Sequence, residues 1–126
     1  MELNFEKQDG LVTAVIQDAT TARVLMVGYM NPEAFRLTVD TGVVTLFSRT
    51  RQRLWVKGES SGHKLMVKRI EVDCDADALL VQVDPIGPGV CHEGYVSCFF
   101  RTVQDEEWRV TEAQTYDPKA VYGGSK

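Results

Sequence analysis

Several things are scarce in this chain, and each scarcity excludes something. No window approaches the roughly 18 uninterrupted apolar residues of a membrane span. The N-terminal MELNFEKQDG has no basic segment followed by an apolar run, so no export signal is read and a cytoplasmic protein is expected. Basic charge is not in excess: 14 Lys and Arg stand against 18 Asp and Glu, for a net charge of −4. With no long block of one sign, neither nucleic acid nor an anionic membrane is expected as a partner, and an anionic ligand would need a local basic pocket. Cysteine occurs three times, a number that cannot pair completely within one chain. In a reducing compartment that favours thiolate chemistry or metal binding over disulfides. What is present, 126 residues of which 44% are hydrophobic and 25% charged, suits one globular domain spanning 1–126.

Period-two patterning dominates the chain and predicts a mostly β (α+β) fold of hairpin-rich sheets with one short helix. LVTAVIQD and ARVLMVGYM, joined by ATT, read as a hairpin. NPEAFRLTVDTG carries helix signals in order: Asn31 as N-cap, Pro32 at the first helical position, Glu33 in the first turn and Gly42 as the stop. VVTLFSRTRQRLWVKG reads as a second hairpin turning near RTRQ, and HKLMVKRIEVDC as a longer strand running into an acidic stretch. ALLVQVD and YVSCFFRTV complete the strands, separated by the turn residues PIGPG. The patterned core runs from about 10 to 103. From about 105 to 126 the pattern weakens into a tail whose last residues, YGGSK, are expected to fray.

Three constellations carry chemistry. In EVDCDADALL, continued strand geometry would put Glu71, Asp73, Asp75 and Asp77 on one face and Cys74 on the other. A row of carboxylates repels itself unless a cation or a turn intervenes, and oxygen clusters suit hard ions such as Mg²⁺. An acidic, solvated strand end is the competing reading. A calcium loop of the EF-hand type fits poorly, because Ala78 stands where that loop needs glycine. The second constellation is Cys74, Cys91 and Cys98. Three thiolates suit Zn²⁺ and leave a fourth position open for water, the pattern of a catalytic site, and His92 could instead close it. Each cysteine alone also fits a small buried hydrophobe, Cys98 best of all, in a strand ahead of Phe99 and Phe100. The third is SRTRQRLWVKGESSGHK. Arg49, Arg51, Lys57, Ser60 and Ser61 offer phosphate anchors and Trp55 a stacking surface, against the plainer reading of a solvated charged hairpin.

In sequence order these pieces resemble the phosphoribosyl-AMP cyclohydrolase family of histidine biosynthesis. The likeness runs through VLMVGYMNPEAF, TGVVTLFSRTRQRLWVKGESSGH, DCDADALLVQV and CHEGYVSCFF. It implies an intertwined, obligate homodimer with active sites at the subunit interface. It further implies Zn²⁺ on Cys74, Cys91 and Cys98, drawn from both subunits, and Mg²⁺ on Asp73, Asp75 and Asp77. The family more usually has alanine where Gly28 stands and threonine where Glu93 follows the histidine, and P-A-C where this chain reads PGVC; no ligand is lost by these departures.

The implied reaction is hydrolytic opening of the adenine ring of 1-(5-phosphoribosyl)-AMP at the N1–C6 bond, giving a formimino-imidazolecarboxamide ribotide, with zinc activating the attacking water. Thiolate ligands acidify bound water less than imidazoles do, so a neighbouring base gains importance. His92 is the first candidate and His63 the second, the latter also as the acid that protonates the departing N1. Two alternatives remain at this point. One is a zinc-stabilised, non-catalytic module binding nucleotide or RNA through the basic hairpin. The other is a deaminase, which would share attack at C6 but for which the H-x-E and P-C-x-x-C signature is absent.

Overall fold

Strand β1 (Val12–Asp18) keeps the alternation of its sequence, with Val12, Ala14 and Ile16 fully buried and the residues between them partly exposed. It pairs antiparallel with β2 (Val24–Met30) as the predicted hairpin. The turn between them is held by Asp18, whose carboxylate accepts from the Thr20 and Thr21 amides at 2.8 and 3.2 Å. These coordinates are a computed structural model describing residues 2–122, so the chain end YGGSK lies outside the described residues except for the backbone of Tyr122.

Helix α1 (Pro32–Thr41) begins and ends where its signals predict. The Asn31 side chain accepts from the Ala34 amide at 2.8 Å, and Gly42, at φ 75°, closes the C-terminus by donating its amide to the Thr38 carbonyl. The buried Thr38 hydroxyl lies 2.8 Å from the Ala34 carbonyl and accepts from the Thr45 amide at 3.0 Å, which locks the helix to the next strand without leaving a buried polar atom unpaired.

Strands β3 (Thr45–Ser48) and β4 (Arg53–Val56) form the second predicted hairpin, turning through residues 49–52. Strands β5 (Leu65–Val72) and β6 (Ala78–Pro85) follow. The main sheet has the order β2-β1-β6-β5, with β6 parallel to β1 and antiparallel to β5. Leu25, Met30, Leu46, Leu65, Val81 and Val83 fill the core between this sheet, the β3–β4 hairpin and α1. Most of the described chain is strand and loop, as expected, and among the described residues no helix is long and apolar enough to cross a membrane.

Three local expectations need correction. Strand β5 stops at Val72, and Asp73–Asp77 is a turn, with Ala76 at φ 62° and the Asp73 carboxylate accepting from the Asp77 and Ala78 amides at 3.1 and 3.2 Å. An aspartate can bond backbone amides in a turn, whereas extending the strand would have lined up four like charges. YVSCFFRTV is strand only from Arg101. Its earlier part is pinned in irregular backbone, where the Ser97 hydroxyl donates to the Val24 carbonyl at 2.7 Å and the Cys98 amide to the Leu25 carbonyl at 2.8 Å. Finally, the tail is structured over its described part: β7 (Arg101–Gln104) and β8 (Glu107–Val110) make a third hairpin, and α2 (Pro118–Tyr122) is a second short helix.

Candidate active site

The β3–β4 hairpin and the loop after it wall an open cavity of about 540 Å³. Five of the residues singled out in the sequence face it: Arg51, Trp55, Lys57, Ser60 and Ser61. Period-two geometry puts Trp55 on one face of β4, with Lys57 two residues on, while Arg51 reaches the cavity from the turn between the strands. The cation of Lys57, a nearly buried residue, sits 5.7 Å from the centre of the Trp55 ring. His92 reaches the same cavity from the distant cysteine loop, so the only basic cleft found by sequence reasoning also contains the first-choice base. Ser48, Arg53 and Glu59 line it too. Arg53 has the parity of Trp55 and Lys57, a signal that was available in the sequence. Arg49 does not line the cavity; its guanidinium stacks 4.1 Å over the Tyr29 ring on β2.

The second candidate histidine, His63, occupies the loop following Gly58. The chain turns so tightly there that a Cβ on Gly58, at φ +89°, would lie 2.4 Å from the His63 carbonyl carbon. The ring packs edge-on against Tyr116 at 5.0 Å, and its Nδ1 is buried without a hydrogen-bond partner among the described residues. It borders the cysteine loop rather than the cavity.

Of the three cysteines, none is in a disulfide. Cys91 is buried, and the Cys98 thiol is near enough to it for the two to interact electrostatically. Although Cys98 as a residue is exposed, enclosure of its sulfur pushes its pKa up to about 11, and the charge of Cys91 adds to the rise, with Lys57 opposing and Glu93 reinforcing it. Cys91 does not line the basic cavity itself but directly precedes His92, which does. Cys74 is exposed in the aspartate turn, and the three sulfurs do not converge: among the described residues the only cluster of three candidate ligands is Asp73, Asp75 and Asp77, whose oxygens lie within 4.8 Å of one another.

That acidic cluster holds a cation of the chain's own. The Lys7 ammonium stands 2.7 Å from the Asp75 carboxylate and 3.4 Å from that of Asp77. The hydrogen bond from Lys7 is the main cause holding Asp75 down at about pKa 2, while the neighbouring Asp75 carboxylate pushes Asp77 up. Its oxygen donors suit a hard divalent ion, and the cysteine pair is a soft two-donor fragment that needs a third thiolate to resemble a zinc site.

Comparison with known proteins decides the affiliation. The family model for phosphoribosyl-AMP cyclohydrolase matches residues 26–100. A phosphoribosyl-AMP cyclohydrolase of Solibacter usitatus is 65% identical over 124 residues, which is 98% of each chain. This chain belongs to the phosphoribosyl-AMP cyclohydrolase family. The phosphoribosyl-AMP cyclohydrolase of Desulforapulum autotrophicum is 49% identical over 97% of this chain and 98% of its own length. The histidine biosynthesis bifunctional protein HisIE of Vibrio cholerae is 48% identical over 98% of this chain but only 62% of its own. The family match takes in the three cysteines, the aspartates, both histidines and the basic hairpin; Lys7 and Tyr116 lie outside it.

Proposed function

We propose that the protein hydrolyses 1-(5-phosphoribosyl)-AMP at the N1–C6 bond of its adenine ring, a step of histidine biosynthesis carried out in the cytoplasm. The observation that carries the reading is the meeting of His92, the chain neighbour of Cys91, with the basic, tryptophan-bearing cavity, in a chain 65% identical to a phosphoribosyl-AMP cyclohydrolase over nearly its whole length.

Arg51, Arg53, Lys57, Ser60 and Ser61 would hold the two phosphates, since guanidinium forks and hydroxyls match phosphate oxygens. Trp55 would stack on the base or a ribose. His92 would take the proton of the attacking water, a role in which a positioned base contributes about 10²–10⁴-fold. Water adds at C6, N1 departs with a proton, and the exocyclic amine remains as the amide nitrogen of a carboxamide. Arg53 replaces Arg49 in this substrate set, because Arg49 is engaged with Tyr29.

Cys91 and Cys98 of one subunit would bind zinc together with Cys74 of the other, and Asp73, Asp75 and Asp77 would hold Mg²⁺. Bound zinc would supply the Lewis acidity that makes water nucleophilic near neutral pH. Two features support a homodimer that completes the site. Cys74 is solvent-exposed and apart from the other two thiols. The β7–β8 hairpin exposes Val103, Trp108 and Val110 at 72%, 71% and 56%, and a two-stranded hairpin is marginal without cover. The test is turnover of phosphoribosyl-AMP followed by ultraviolet absorbance. Activity should vanish on chelation and return with zinc; a protein that binds the nucleotide without changing it would overturn the reading.

A further inference from the structure

The loop carrying Cys91 and His92 is irregular, and its own backbone bonds are few: Cys91 N to the Tyr95 carbonyl at 3.1 Å, Gly94 N to that of Cys91 at 3.0 Å, and Val90 N to that of Val96 at 3.0 Å. A second segment, far along the chain, crosses it. Gln114 Nε2 donates to the Glu93 carbonyl at 2.8 Å. The Thr115 amide donates to Gly94 and its hydroxyl to Pro88, both at 2.8 Å. The Tyr116 hydroxyl donates to the Cys91 carbonyl at 2.5 Å. Two glycines make the crossing possible: a Cβ on Gly89 would lie 2.9 Å from the Thr115 hydroxyl, and one on Gly94, at φ +96°, 2.7 Å from the Tyr116 carbonyl oxygen.

Tyr116 faces two ways. While its hydroxyl grips the Cys91 carbonyl, its ring meets that of His63 edge-on, and Gly87 also packs against His63, where a Cβ would come within 2.6 Å of the imidazole. The loop that follows the cavity hairpin and the loop that presents Cys91 are thus fastened to one another through a residue of the tail.

We propose that Gln114–Tyr116 is a positioning strap that fixes the Cys91–His92 loop against the substrate cavity, with Tyr116 as its principal positioning residue. It touches neither substrate nor metal. A site that needs its ligands and base held to within about half an ångström gains rate from such support, because an unfastened loop spends part of its time with His92 misplaced. The family match ends at residue 100, before the strap begins. The inference takes its kinetic consequence from the cyclohydrolase reading, but the loop-fastening itself does not depend on that reading.

The experiment compares the zinc-loaded enzyme with its Tyr116→Phe variant, which keeps the ring against His63 and removes only the hydroxyl. Loss of the hydrogen bond to the Cys91 carbonyl should lower kcat by about threefold to tenfold. KM should stay within about twofold, since phosphate anchors are untouched. Amide hydrogen exchange over residues 88–96 should accelerate by a similar factor while β1 and β6 exchange as in wild type. Tyr116→Ala, which also removes the ring, should lower kcat further. Unchanged kcat and unchanged exchange in Tyr116→Phe would overturn the proposal. So would exchange accelerated equally throughout the chain, which would make Tyr116 a general stability residue. If wild type turned over no phosphoribosyl-AMP, the functional reading would fail, and the exchange comparison would still decide the strap.

Discussion

Replacing Gly87 by Ala should evict His63 from its seat. Gly87 has φ +108°, a conformation costly for any residue with a Cβ, and that Cβ would lie 2.6 and 2.8 Å from the imidazole Cδ2 and Cγ. Two costs therefore add: about 1–3 kcal/mol of backbone strain and about 1–3 kcal/mol for overpacking against the ring. Gly10 separates them, because it also has a positive φ, +88°, yet has nothing within 4 Å of where its Cβ would go. At about 2.1 cal/mol/K per residue, the unfolding entropy of a chain this size is roughly 0.26 kcal/mol/K, so each kcal/mol lowers the melting temperature by about 4 °C. Gly10→Ala should then melt about 4–11 °C below wild type, and Gly87→Ala lower by about the same amount again. Calorimetry reads the melting temperatures, and the ring resonances of His63 and Tyr116 report the eviction. Equal melting losses in the two variants, with unshifted His63 resonances, would refute the packing argument.

Other substitutions test separate parts of the site. Changing Cys74, Cys91 or Cys98 singly to Ser should abolish tight zinc binding and turnover, read by metal analysis, and a fully zinc-loaded, active variant would remove that residue from the ligand set. Mixing inactive Cys74→Ser with inactive Cys91→Ser should restore partial activity after subunit exchange if the thiolates come from two chains. Asp75→Asn should weaken the Mg²⁺ requirement and leave zinc content unchanged. Lys7→Met should raise the Asp75 carboxyl from about 2 toward its ordinary 3.8, measured by NMR titration. In wild type the folded-state value is the lower one, so this ion pair favours the folded state above pH 3.8 and loses that contribution as the pH falls toward 2; an unmoved midpoint in the variant would show that Lys7 is not the cause.

Local patterns in the sequence proved reliable where the responsible interaction is itself local. Asn31, Pro32 and Gly42 bound α1 because capping acts within a few residues, and the first two hairpins follow from β-rich runs flanking a short turn. The misplaced elements depend on distant partners or on weak turn chemistry. YVSCFFRTV is a good strand by composition, but Ser97 and Cys98 spend their hydrogen bonds on Val24 and Leu25 of β2, outside any ladder. The β7–β8 turn is made by Asp105 and Glu106 at φ 52° and 63°, without the glycine or asparagine that would announce it. For the site, the residue types in the basic hairpin and their parity were legible, whereas the arrival of His92 in the same cavity was not, because nothing in local spacing relates residues 51–61 to residue 92. Tyr116 was invisible for the same reason: its importance comes from contacts with Cys91 and His63 that only the folded chain makes.

Ring opening and deamination share an attacked carbon and differ in what leaves it. The most direct measurement is therefore the mass of the product formed from phosphoribosyl-AMP, taken together with an ammonia assay during turnover. Ring opening predicts a product one water heavier than substrate with its nitrogen count unchanged and no ammonia released. Stoichiometric ammonia, with a product that has lost the exocyclic amine, would contradict hydrolysis of the N1–C6 bond.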